Sequence, residues 1–361
     1  LSAYDVDYND HLKKIRKTIS LTNDGLFELD QSYYQGDQLE KPTLYTQKLI
    51  DLLDADDRPE KITDWHLSIA KAMQQVSEEI VFHMLKHLHS KTKSNNLVLG
   101  GGYFMNSVCN GKIIKETPFN DVYISYSPAD VGNSMGAALY VSHCIHGEKR
   151  NIGYNSSFIG PAYSDDDIIN SLEKRKINYS TLDNTSQEIA SILSQGNIIA
   201  FFNGRMEFGE RALGHRSILA DPRPEGMKDK INSIIKYRES FRPFAPAVLN
   251  ESVSKYFDVL PDFSCNYMEK VVQVKNEYRK KLLAITHVDG SGRVQTVQKH
   301  DNHIFYNVIK EFEKITGFPI VLNTSFNINK ESIALSPDDA LQTFFNSGLE
   351  YLCMNKFLIK K

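Results

Sequence analysis

The stretch Ile198-Ile199-Ala200-Phe201-Phe202-Asn203-Gly204-Arg205-Met206-Glu207-Phe208-Gly209-Glu210-Arg211-Ala212-Leu213-Gly214-His215-Arg216-Ser217-Ile218-Leu219-Ala220-Asp221-Pro222-Arg223 decides how this chain is read. Its first five residues are apolar, the pattern of a short buried strand. Four arginines and two glutamates then alternate with glycine, alanine, leucine and phenylalanine up to a proline turn. Arginine presents a rigid fork of donors that fits phosphate and carboxylate oxygens two at a time. Glycine beside it lets backbone N–H groups approach an anion closely. A second basic group follows at Lys236-Tyr237-Arg238-Glu239-Ser240-Phe241-Arg242-Pro243-Phe244-Ala245-Pro246. The chain as a whole carries a net charge of −3, so two such clusters point to one concentrated anionic ligand. The plain alternative is a set of solvated Arg/Glu pairs, a pattern that seldom interleaves with glycine and large apolar residues.

The bulk composition narrows the field. With 361 residues the chain has room for two domains, and 41% hydrophobic and 24% charged residues are ordinary for a globular protein. The absence of a basic excess argues against a general nucleic-acid binder, whose affinity rests on phosphate neutralisation. No apolar run reaches bilayer length, and Leu1-Ser2-Ala3-Tyr4-Asp5 has no signal-peptide character. Cys109, Cys144, Cys265 and Cys353 follow no metal spacing and read as reduced thiols, so a cytoplasmic protein is expected.

Periodicity gives an α/β organisation. An amphipathic piece spans His11 to Ile19. Trp65, Ile69, Met73, Val76, Ile80, Met84 and Leu88 recur at helical spacing and predict a long helix with one buried stripe, ending between Lys91 and Asn96. Short strands are predicted at Leu97–Leu99 and Val122–Ile124, and a small-residue helix from Ser134 to Ile145. Residues His146 to Asn155 lack periodicity and mark the boundary between a first domain, 1–148, and a second, 149–361. Beyond it, Ser164-Asp165-Asp166-Asp167-Ile168 opens a helix, with acids in the first turn. Strands are predicted at Ile198–Phe202, Ala245–Leu249, Leu283–His287 and Pro319–Leu322. Helices are predicted at Met227–Ile235, Ile304–Thr316 and Pro337–Asn346. Strands alternating with helices argue for a layered α/β structure.

Several segments carry candidate chemistry. Gly100-Gly101-Gly102-Tyr103-Phe104-Met105-Asn106 ends a strand, where open α/β sheets place nucleotides, although it lacks the Gly-Lys-Ser/Thr of a P-loop. The same glycines would serve a tight packing turn. Asp130, before the small residues Gly132 to Ala138, is read either as a helix cap or as a metal ligand, the cap being favoured by spacing alone. His83, His87 and His89 read as packing residues, since no acid stands at a zinc-hydrolase spacing. Asn323-Thr324-Ser325-Phe326-Asn327 at the end of an apolar strand suits either a ligand's polar edge or a turn stitched by side chains. Arg293 adds a cation on the hairpin Gly290–Thr296.

Taken together and in order, Asn203–Arg223, Lys236–Pro246, Arg293–Val297 and Asn323–Asn327 resemble the carboxyl-terminal domain of the O-carbamoyltransferases that modify Nod factors, cephamycins and aminoglycosides. Gly101–Asn106 and Asp130–Ala138 resemble the second half of that family's actin-like (ASKHA) ATPase domain. The resemblance implies a fold of two parts, a partial actin-like half-domain followed by a YrdC-like α/β domain. It implies an enzyme that makes carbamoyl adenylate from carbamoyl phosphate and ATP, then passes the carbamoyl group to an acceptor hydroxyl. The implied cofactors are ATP with Mg2+, and Fe2+ is a candidate in the actin-like part. Lys236 and Arg238 match the basic pair of YrdC-type domains. Arg205, Arg211, Arg216 and Arg242 are placed to neutralise phosphate. Asn323 and Ser325 would hold the carbamoyl or ribose end. Glu207, Gly209, Arg293 and Asn327 complete that binding set, with Gly101, Gly102 and Asn106 on the nucleotide side. Asp130 aligns with the family's metal-binding aspartate.

Leu1-Ser2-Ala3-Tyr4 resembles the end of a segment that follows the family's first actin-like half. The expectation is therefore a fragment, a truncated product or one part of a split enzyme, with a homodimer or a missing N-terminal half as partner. A nucleotide-binding remnant without transfer activity is the second reading, and an RNA-binding module, disfavoured by charge, is the third.

Overall fold

A computed structural model describes residues 1–35, 44–55, 60–150, 156–237, 242 and 244–361. The backbone packs as two units, Leu1–Val98 with Lys112–Tyr123, and Leu99–Gly111 with Ile124–Lys361. Two contacts show why Leu99–Gly111 packs with the second unit. Asn110 Nδ2 donates to the Glu269 carbonyl at 2.9 Å. Gly111 lies so close to Val271 that a Cβ there would sit 2.0 Å from its carbonyl oxygen. Packing thus ties Leu99–Gly111 to residues far along the chain.

The first unit is built on the helix Asp64–Thr92. Ala72 and Val76 pack with Leu12 and Ile15 of the helix Asn9–Arg16, and Lys112 pairs with the buried Glu78 at 2.7 Å. The long helix falls where its periodicity placed it. Its buried face, however, runs through Ser68, Ala72, Val76, Phe82 and Leu85, while Met73, Met84 and Leu88 are exposed. Apolar residues occupy more than one face of this helix, so spacing alone could not choose between them. The three histidines stay apart: His83 meets the Thr22 carbonyl at 2.9 Å, His87 underlies Gly25, and His89 edges the Phe119 ring.

The second unit centres on an eight-stranded mixed sheet. Its spatial order is Gln295–Val297, Ala245–Leu249, Ile320–Ser325, Arg216–Ala220, Ile199–Phe202, Tyr351–Met354, Phe357–Lys360 and Ser180–Thr181. The first two strands run parallel, as do Ile199–Phe202 and Tyr351–Met354; the remaining pairs are antiparallel. Side chains alternate across the pleat. Ala200, Phe202, Ile218, Ala220, Val248 and Leu322 face one core, against the helices Asp165–Lys174, Met227–Ile231 and Pro337–Phe345. Ile199, Phe201, Leu219, Ala247 and Val321 face the other, against Thr185–Ser194 and His303–Thr316. Both faces are covered, which is why the inner strands read as unbroken apolar runs.

Two sequence expectations change here. Leu283–His287 is not a strand: a 3-10 turn covers Leu283–Ile285, and the chain then reverses so that the His287 N–H reaches the Ser291 carbonyl at 2.8 Å. Arg216–Ala220, read as part of an arginine-rich segment, is instead a central strand. No described helix is long and apolar enough to cross a membrane.

Candidate functional site

Strand register gathers the sequence-predicted cations at one end of the sheet. Phe202 opposes Arg216, Ser217 opposes Ser325, and Ala245 opposes Asn323. The loops after Phe202 and Ser325, and the segment leading into Ala245, therefore leave the sheet on the same side.

Lys236 ends a π-helical turn, Asn232–Lys236, and Tyr237 after it has a left-handed backbone with φ 43°. The Lys236 ammonium is buried and turned into the end of the strand Ile320–Ser325. It lies 2.6 Å from the Ser325 carbonyl, 2.9 Å from the Asn327 carbonyl, 2.7 Å from Asn327 Oδ1 and 3.2 Å from Ser325 Oγ. Ser325 Oγ donates to Asn327 Oδ1 at 2.7 Å, and Asn327 Nδ2 donates to the Glu331 carbonyl at 2.6 Å. Lys236 is thus in direct contact with two expected site residues distant from it in sequence, Ser325 and Asn327.

A second cluster forms around Glu207. Its Oε1 accepts the N–H groups of Leu213 at 2.7 Å, His215 at 3.0 Å and Arg216 at 3.2 Å, while the Gly214 N–H goes to Ser217 Oγ at 2.9 Å. Glu207 Oε2 is buried without a hydrogen-bond partner among the described residues. Gly214, at φ +107°, packs against Phe305, and Gly209, at φ +119°, against the Tyr126 carbonyl. Asn323 Nδ2 bonds the Ala212 carbonyl at 3.1 Å and Gln295 Oε1 at 2.8 Å, and Gln295 Nε2 bonds the Leu213 carbonyl at 2.9 Å. Sequence reasoning missed Gln295, which adjoins the noticed Arg293 but has no signal of its own.

The arginines divide by environment. Arg216 is fully buried; its guanidinium donates to the carbonyls of Asn203 at 2.8 Å and Gly204 at 3.3 Å and lies 3.6 Å from the Phe202 ring centroid. Burial pushes its pKa down to about 10, partly opposed by the Glu207 charge. In this geometry Arg216 braces the Asn203–Gly204 turn. Glu207 Oε1 and Asn323 Nδ2 likewise bond the loop 212–216, while Glu207 Oε2 and Asn323 Oδ1 are buried without a hydrogen-bond partner among the described residues. Arg211 is half-buried and makes no hydrogen bond or ion pair among the described residues; burial lowers its pKa, with Glu210 opposing. Arg205 is exposed and donates to the Ile159 carbonyl at 3.0 Å. Arg242 is exposed, and its carbonyl accepts from Asn232 Nδ2 at 3.4 Å. Arg293 lies half-buried on the strand Ser291–Arg293. Arg238 lies outside the described residues.

On the expected nucleotide side, Gly101 and Gly102 have open space where side chains would stand, and the Gly101 N–H bonds the Pro128 carbonyl at 2.7 Å. Asn106 caps the short helix Ser107–Asn110, accepting from the Cys109 N–H at 3.2 Å. Asp130 opens a 3-10 turn, is exposed and caps nothing, so the cap favoured by its spacing is not what it does. Among the described residues no three His, Cys, Asp or Glu side chains converge to hold a metal. Asp130 thus belongs to no such cluster of three among the described residues.

The fold and these side chains define a mixed-sheet α/β protein with cationic and amide groups at one sheet end. The chain belongs to the carbamoyltransferase family: residues 19–139 match the carbamoyltransferase N-terminus and residues 190–361 the carbamoyltransferase C-terminus. It is 39% identical to the nodulation protein NolO of Bradyrhizobium diazoefficiens, over 83% of this chain and 55% of NolO. It is also 39% identical to the nodulation protein NolNO of Sinorhizobium fredii, over 83% of this chain and 45% of that protein. An uncharacterised Synechocystis protein is 35% identical over 95% of this chain and 60% of its own length. The chain thus spans about half the length of the curated relatives it matches. Among solved structures, full-length HypF in its phosphate- and nucleotide-bound form superposes with a TM-score of 0.35 at 19% identity, over 48% of this chain and 25% of HypF.

Proposed function

We propose that this chain carries the carbamoyl-adenylate-forming part of an ATP-dependent O-carbamoyltransferase, in a YrdC-like domain that follows a partial actin-like one. In the first step water cleaves carbamoyl phosphate to carbamate and phosphate, and a carbamate oxygen then attacks the α-phosphorus of ATP, giving carbamoyl adenylate with pyrophosphate as leaving group. In the second, an acceptor hydroxyl attacks the carbamoyl carbon and AMP leaves. The observation that carries the reading is the contact of Lys236 with Ser325 and Asn327 at the sheet end, in a chain of this family. A fixed ammonium there can stabilise negative charge as it moves onto leaving phosphoryl oxygens, usually the largest contribution to such catalysis. The Arg211 guanidinium keeps its donors available for phosphate. Ser325 and Asn327 would orient the carbamoyl or ribose end. Mg2+ arriving with ATP would supply further charge neutralisation.

The test is exchange of labelled pyrophosphate into ATP by the purified chain, with and without carbamoyl phosphate. Exchange dependent on carbamoyl phosphate is expected. A folded chain that binds nucleotide yet exchanges nothing would leave only the binding remnant.

A further inference from the structure

The first turns of three separate helices open on one cleft of the second unit. Asp165 begins the helix Asp165–Lys174, Thr185 begins Thr185–Ser194, and Ile304 lies in the first turn of His303–Thr316; all three line the cleft. In each helix the side chain before it, Ser164, Asn184 or Asn302, bonds the third N–H. The earlier N–H groups of each first turn have no partner within the helix, and each helix end carries partial positive charge.

An independent observation points to a ligand. Asn203 also lines the cleft and is only 5% exposed, yet its side-chain amide makes no hydrogen bond among the described residues. Its amide atoms are not sealed in a closed core; they reach the open cleft, where a ligand can meet them. The neighbouring backbone is also oriented. Arg216 holds the carbonyls of Asn203 and Gly204, and in a planar trans peptide the following N–H points away from the carbonyl. The N–H groups of Gly204 and Arg205 are therefore turned away from the guanidinium. Lys356 stands at the rim, 2.8 Å from Asp165, in a pair about half exposed on each side. Such a surface pair is worth roughly 0–1 kcal/mol, so an arriving anion can take the ammonium over.

We infer that this cleft binds a single phosphate group, held by the first-turn N–H groups of the three helices, the Asn203 amide and the Lys356 ammonium. Helix N-termini are ready anion sites, and three facing one cleft reinforce each other. None of these residues contacts Lys236, so the inference does not depend on the proposed chemistry there.

The experiment uses the full chain with inorganic phosphate as the probe. Hydrogen–deuterium exchange should slow in the first turns at 165–167, 185–187 and 303–305 when phosphate is added. The slowing should persist in Lys236→Met, which separates this cleft from the other candidate site. In equilibrium dialysis of the Lys236→Met protein, further substitution by Asn203→Asp or Lys356→Glu should weaken phosphate binding about tenfold or more. Lys356 is a surface residue, so its variant remains informative if Asn203→Asp unfolds. Competition by AMP would assign the phosphate to a nucleotide; competition by carbamoyl phosphate but not AMP would assign it to the smaller substrate. Unchanged exchange at all three turns, or undiminished phosphate binding in the folded Lys356→Glu protein, overturns the inference.

Discussion

Replacing Lys236 by methionine separates its two tasks. Methionine keeps the stem's approximate volume but removes the ammonium. Its three donors serve the carbonyls of Ser325 and Asn327 and the side-chain oxygen of Asn327, with Ser325 Oγ sharing one. Hydrogen bonds to charged groups contribute about 1.5–3 kcal/mol each, although the three act as one unit and do not add. Relief from burying the charge offsets part of the loss. A net cost of about 3 kcal/mol follows, inside the roughly 5–15 kcal/mol that holds a domain together. The variant should fold and melt about 6–12 °C lower. Pyrophosphate exchange should fall far more, by roughly 100- to 1,000-fold, the usual loss when a fixed charge-stabilising donor is removed. Calorimetry and the exchange assay on one preparation read both numbers. If the melting temperature drops as stated while exchange stays within twofold, Lys236 is only a structural pin and the proposed chemistry is wrong.

Other substitutions probe the same loops. Arg211→Gln should leave urea stability within about 0.5 kcal/mol, because no bond is broken, while lowering exchange at least tenfold. Wild-type exchange in that variant would remove Arg211 from the site. Gly214→Ala should cost about 3 kcal/mol in urea unfolding, since its new Cβ at φ +107° would meet Phe305 Cδ1 at 2.3 Å; a loss below 1 kcal/mol would show the loop to be adaptable. Burial pushes the His287 pKa from its ordinary 6.5 down to about 4. The folded form therefore favours neutral imidazole, so this stability is complete above about pH 6.5 and is lost as pH falls toward 4. His287→Asn should flatten that part of the stability profile, and an unchanged slope would assign it to other groups.

Much of the second unit was legible because its strands and helices have clear periods. Ile199–Phe202, Ala245–Leu249 and the helix His303–Thr316 lie where apolar spacing put them. Arg216–Ala220 was hidden because its leading arginine, though charged, is satisfied by contacts that spacing does not reveal: two loop carbonyls and the Phe202 ring. Asn323 and Glu207 have the chemistry of ligand groups, yet both knit the loop 212–216.

By itself the sequence determined an α/β chain of carbamoyltransferase type with its cations concentrated in two segments, because residue order and side-chain chemistry are local. Only the tertiary structure decided which polar groups were left over for a ligand. A buried side chain bonds whichever partner the sheet register brings within about 3 Å. That register set Lys236 against Ser325 and Asn327, and it left the Asn203 amide facing an open cleft.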